Sequence, residues 1–129
     1  MLLKNGIIHD AVNPQAYEAD LALRDGVIAA IGANLAPLAD EEVIDLRGGQ
    51  VYPGFIDAHS HLGLDGYGKG LEGIDYNEMG DIVSAHLRGI DSFNPQDPSI
   101  AMARAGGVTC AGVGPGSANV LGGTFTTIK

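Results

Sequence analysis

Pro53-Gly54 divides the hydrophobic pattern of this chain into two grammars, and any fold must satisfy both. Before it, short apolar runs alternate with tight-turn signals. "LLKNGIIH" reads as a strand broken by Asn5-Gly6, a turn dipeptide between apolar residues. "ADLALRDGVIAAIG" reads as a hairpin: Leu21 and Leu23 alternate, Asp25-Gly26 turns, and Val27, Ile28 and Ile31 return. Asp-Gly suits a two-residue turn because both central positions tolerate positive φ. Val43 to Leu46, a Gly48-Gly49 turn and Val51-Tyr52 add further short strands. Strands at this spacing predict a small β-sandwich or meander over residues 1–52.

From residue 53 to 129 the pattern becomes strand, loop, helix, strand. "GFIDAHSHL" is strand-like, and the Gly-rich "GLDGYGKGLEGIDYNE" after it is expected to be irregular. Met79, Ile82, Val83, His86, Leu87 and Ile90 fall on one helical stripe and predict a helix, which Gly80 and Gly89 weaken. A second helix is better marked: Asp97 can cap it, Pro98 suits its first position, and Gly106-Gly107 stop it. "VTCAGVGPG" then reads as a buried strand, and a further strand begins at "TFTTIK". Strand, helix and buried strand in this order form the βαβ signature of a parallel sheet, so the class is α/β.

Composition removes several functions. The 129 residues fit one domain or parts of two, and 45% hydrophobic content supports a packed core. With 7 basic against 16 acidic residues and a formal charge of −9, the chain offers no basic patch for nucleic acid or an anionic membrane. Cys110 stands alone, which excludes an internal disulfide framework and fits a reducing compartment. Met1 leads directly into "LLKNGIIHDA" without a signal-like apolar core, and no apolar run approaches the ~20 residues needed to span a bilayer. A cytoplasmic location is the expectation.

The chemistry concentrates in "VYPGFIDAHSHLGL". Side chains alternate along a strand, so Asp57, His59 and His61 project from one face while Ile56, Ala58, Ser60 and Leu62 line the other. Two rings about 6.6 Å apart along the backbone can lean toward one ion bound at about 2.0–2.1 Å. In parallel α/β folds, reactive groups gather at the carboxyl ends of strands, which is where this pair sits. A divalent ion would satisfy both imidazoles, and nearby polar groups would hold Asp57 and orient the histidines. The bland alternative is an edge strand whose polar face meets water.

Four ordered blocks, "LLKNGIIHDA", "DLALRDGVIAAIGANL", "EEVIDLRGGQVYPGFIDAHSHLGL" and "AGGVTCAGVGPGSANVLGG", make the chain resemble the start of the metal-dependent amidohydrolases. The similar branch contains imidazolonepropionase and related cyclic-amide and dipeptide hydrolases. The resemblance implies a small β-sandwich segment followed by the first strands and helices of an incomplete (β/α)8 TIM-type barrel. It also implies His59 and His61 as ligands of one or two divalent ions, zinc foremost. Asp57 would stand behind them, and a small-molecule amide or cyclic amide would be the substrate.

A full barrel takes ~250 residues, far more than follow Pro53, so the remaining histidines and the catalytic aspartate of the family are expected beyond Lys129. Two histidines do not close a catalytic zinc centre, which normally has three protein ligands plus water. The chain alone is therefore expected to be inactive, with exposed sheet edges that invite pairing with another copy. His9 falls in the sandwich-like part, His86 on the apolar stripe reads as a hydrogen-bonded core residue, and Lys129 receives no role. The rival reading is a non-enzymatic scaffold or anion-binding module, in which backbone N–H groups of "GVGPGSANVLGG" would cradle an anion.

Overall fold

Asp25 and Gly26 take φ of 51° and 74°, the conformation that closes a two-residue hairpin, and this turn joins β2 (Tyr17–Arg24) to β3 (Val27–Gly32). In the computed structural model, which describes all 129 residues, the hairpin belongs to the first of two compact units, residues 1–53 and 54–129. The first unit is one mixed sheet. β1 (Leu2–Ile8) is central, with β2 antiparallel along one edge. The other edge is shared by β4 (Val43–Asp45) and β5 (Gln50–Val51), both parallel to β1. Ile8, Ala19 and Leu21 form its buried centre, with Leu3, Tyr17, Leu23 and Val51 packed against them.

Asn5-Gly6 is not a turn. The strand runs through it, the pairing with β2 slips between Leu3 and Gly6, and Asn5 takes φ 56°. A bulge frees a backbone amide from the ladder, and a buried amide needs a partner. The buried Asp20 carboxylate supplies one: Oδ1 accepts the Asn5 N–H at 2.9 Å, and Oδ2 accepts the Leu35 N–H at 2.9 Å and the Lys4 ammonium at 3.1 Å. The Asn5 amide, followed by Lys4 and Leu35, holds this carboxyl below its usual range against the effect of burial.

The second unit is built on the expected βαβ step. β6 (Phe55–Ser60) and β7 (Val108–Val113) pair in parallel, with Phe55 opposite Val108 and Ser60 opposite Val113. The short helix α1 (Gly89–Ser92) and the longer α2 (Pro98–Ala105) lie in the connection. Asp97 caps α2 through the Ser99 N–H at 2.9 Å, Pro98 opens the helix, and Gly106 and Gly107 end it. β8 (Thr126–Ile128) returns antiparallel to β7, with Ala111 opposite Ile128. It does not continue the parallel pairing, because the loop from Gly114 to Phe125 contains no crossover helix. Leu64, Ala111 and Val113 are buried at the centre of this unit, under Leu62, Tyr76, Phe93, Val108 and Ile128.

The helix expected over Met79–Ile90 does not form, apart from its last residues, which enter α1. Its backbone groups are taken by a distant segment. Asn119 Nδ2 donates to the Glu78 and Asp81 carbonyls at 2.9 and 2.5 Å. The Ser84 N–H donates to Leu121 O at 2.7 Å, and the Val120 N–H to Ile82 O at 3.1 Å. With the Ser84 amide and these carbonyls turned toward that segment, the i→i−4 ladder does not form. Met79 and Ile82 are left exposed, and so is His86, which is therefore not a core histidine. No helix in the chain is long and apolar enough to cross a membrane.

Candidate metal centre at the end of β6

The alternation of β6 carries Asp57 and His59, and His61 follows one residue beyond the strand. The two imidazoles lie with ring centroids 5.7 Å apart and planes at 84°. Two histidines on one tetrahedral ion, each at about 2.0–2.1 Å, place their centroids roughly 5–6 Å apart. The separation therefore suits a shared cation. His59 is exposed and rests against Phe125 with centroids 4.8 Å apart, while the half-buried His61 stacks on Tyr76 at 4.7 Å and 11°.

His61 Nδ1 lies 2.7 Å from the Gly114 carbonyl oxygen. A carbonyl only accepts, so the proton sits on Nδ1 and the lone pair on Nε2. That is the tautomer of a histidine that ligates a metal through one nitrogen and is oriented through the other. Asp57 Oδ1 accepts the His59 backbone N–H at 3.2 Å, so it holds the main chain below that ring. No cluster of three or more His, Cys, Asp or Glu side chains is arranged to hold an ion. The donor set fits a divalent metal in kind and spacing, but two imidazoles are fewer than a catalytic zinc needs.

The other histidines belong elsewhere. His9 stacks on Tyr52 at 4.1 Å and pairs with Gln50 Oε1 at 2.6 Å, both within the first unit. Lys129 stands at the rim of a largely apolar cavity of about 490 Å³ beside α2 and β7. Several N–H groups of the Gly-rich stretch after β7 are tied to neighbouring carbonyls. Gly114 donates to Ser60 O, Gly116 to Tyr76 O at 2.6 Å, Leu121 to Ile82 O and Thr124 to Leu87 O. Those four amides are not open to an anion.

Gly114, Tyr76 and Phe125 were not singled out from the sequence, though they surround the histidines. They reach the pair from long, irregular segments with no periodicity, and the only local hint was the "GPG" that permits close backbone approach.

No family model matches the chain. It is 40% identical over 91 residues to the amidohydrolase tasK of Hapsidospora irregularis, covering 70% of this chain and 9% of that protein. It is 45% identical over 84 residues to the D-hydantoinase of Geobacillus stearothermophilus, covering 65% of this chain and 17% of that protein. The crystal structure of an amidohydrolase from Thermotoga maritima MSB8 superposes with a TM-score of 0.86 at 41% identity, over 99% of this chain and 33% of that one. The chain thus spans at most a third of each. An HxH pair closing a parallel strand, a backbone shared almost throughout with a solved amidohydrolase and this level of identity agree: the chain belongs to the metal-dependent amidohydrolase superfamily.

Proposed function

We propose that this chain is part of a hydrolase that cleaves a carbon–nitrogen bond in an amide or cyclic amide, with His59 and His61 as two ligands of a divalent metal, zinc foremost. The carrying observation is the His61 ring, whose Nδ1–H is committed to Gly114 O at 2.7 Å while His59 stands 5.7 Å away. When bound, such an ion supplies Lewis acidity and brings the pKa of a water toward about 7. The chain's own contribution is to present the Nε2 lone pair of His61 in a fixed tautomer and to hold the His59 backbone through Asp57. In this reading residues 1–52 are the sandwich segment and residues 53–129 open a (β/α)8 barrel.

The D-hydantoinase among the relatives favours a cyclic amide as the substrate class, and a branch related to imidazolonepropionase is compatible with that chemistry. The remaining ligands and a catalytic aspartate would come from sequence outside these 129 residues, so the chain by itself should not turn over. Calorimetric titration with Zn²⁺ tests the pair: weak binding is expected, and it should vanish in His59→Ala and in His61→Ala. Equal binding by both variants and the parent chain would sink the assignment. Amide or hydantoin hydrolysis above a Zn²⁺-only blank would overturn the expected inactivity.

A further inference from the structure

The Gly114-Pro115-Gly116 segment, whose first carbonyl holds His61, also lies against the two aromatic rings that touch the histidines. The Gly114 carbonyl accepts the His61 Nδ1–H. A Cβ on Gly114 would lie 2.4 Å from Phe125 Cδ2, so the Phe125 ring occupies the space that a side chain would need. That same ring meets His59 edge to face at 60°. A Cβ on Gly116 would meet the Asn77 side-chain amide and lie 2.6 Å from Tyr76 Cδ2, and the Gly116 N–H donates to Tyr76 O at 2.6 Å. Tyr76 is the residue stacked on His61 within 11° of parallel. Two missing side chains thus seat two aromatic rings, each lying against one imidazole.

We propose that this segment, with Tyr76 and Phe125, is a positioning device that sets the ring planes of His61 and His59 and the tautomer of His61 before any ion arrives. The proposal rests on the metal-binding reading for its purpose, but not for its geometry. Three contacts converge on His61 and its neighbour: a hydrogen bond that chooses the protonated nitrogen, a flat stack that keeps the His61 ring in the plane from which Nδ1 reaches Gly114 O, and an edge contact that restricts the other ring. Ring rotation is the freedom an isolated histidine loses on ligation, and a preset ring loses less of it. Tyr76 and Phe125 act through the histidines and are positioning residues.

The test uses the 129-residue chain, metal-free and then titrated with Co²⁺. Long-range ¹H–¹⁵N NMR at a pH where imidazole is neutral reads which nitrogen of His61 carries the proton. The parent chain and Tyr76→Phe, which keeps the flat ring, should both show His61 protonated on Nδ1. Tyr76→Leu should show a mixture of tautomers, and its Co²⁺ affinity should fall by about ten- to a hundredfold. If Tyr76→Leu unfolds the second unit, Tyr76→Met keeps the volume without the flat ring and is read in the same way. Phe125→Leu should broaden the His59 ring signals and leave the His61 tautomer in place.

A parent chain with His61 protonated on Nε2 overturns the proposal, even if Co²⁺ binds. So does a ring-free variant with the parent's tautomer and affinity. A parent chain with the Nδ1–H tautomer, lost in Tyr76→Leu, but with no Co²⁺ affinity upholds the positioning device and instead refutes the metal-binding reading.

Discussion

Asp97→Ala isolates the fastening between α2 and the Gly-rich loop that follows β6. Asp97 is only 3% exposed. Its Oδ1 accepts the Ser99 N–H at 2.9 Å as the cap of α2, and its Oδ2 accepts the Tyr67 N–H at 3.1 Å from the loop. Removing an N-cap costs about 1 kcal/mol. Leaving the partly buried Tyr67 amide without its acceptor adds about 1 kcal/mol, at the low end for an orphaned donor because water reaches part of this site. The second unit should therefore lose about 2 kcal/mol. Asp97→Asn should fall between, because one amide oxygen can serve only one of the two N–H groups and the NH₂ faces the other.

Urea unfolding followed by circular dichroism measures the loss, and hydrogen exchange at the Ser99 and Tyr67 amides locates it. Burial pushes the Asp97 carboxyl up, but hydrogen bonds from Ser99 and Tyr67 and the charge of Lys69 outweigh it and hold the group below its usual value. A depressed folded value means the stabilisation is complete above the unfolded pKa of about 3.9 and disappears as pH falls through the lower folded value. The gap between Asp97 and its Asn variant should narrow in that acid window. Asp97→Ala within about 0.5 kcal/mol of the parent, or unchanged exchange at Tyr67, would refute the reasoning.

Gly114→Ala places a Cβ 2.4 Å from the Phe125 ring and should cost about 1–3 kcal/mol in thermal unfolding of the second unit, as overpacking does. In the first unit, Arg24 grips Glu41 with two hydrogen bonds of 2.9 and 3.0 Å and, with the Leu38 N–H, brings its carboxyl down to about 2. That stabilisation is present above the unfolded Glu value of about 4.3 and lost as pH falls toward 2, so acid unfolding should be flatter in Glu41→Gln over that window.

Elements decided within a few residues were legible in the sequence. The Asp25-Gly26 hairpin, the Asp97-Pro98 start of α2, the βαβ step and the common face of Asp57 and His59 all follow from turn dihedrals, caps and alternation, which depend on near neighbours. The family followed from ordered blocks of the same local kind. Tertiary structure decided where a backbone group had a better partner far away. Asn119 and its neighbours drew the carbonyls of Glu78, Asp81 and Ile82 out of a plausible helix, and Asp20 turned the Asn5-Gly6 turn signal into a bulge. The same holds for the histidines: the sequence placed them side by side, but the proton on His61 and the planes of both rings were chosen by Gly114, Tyr76 and Phe125. Periodicity describes which face a side chain leaves from; it carries no information about which distant carbonyl or ring will be waiting there.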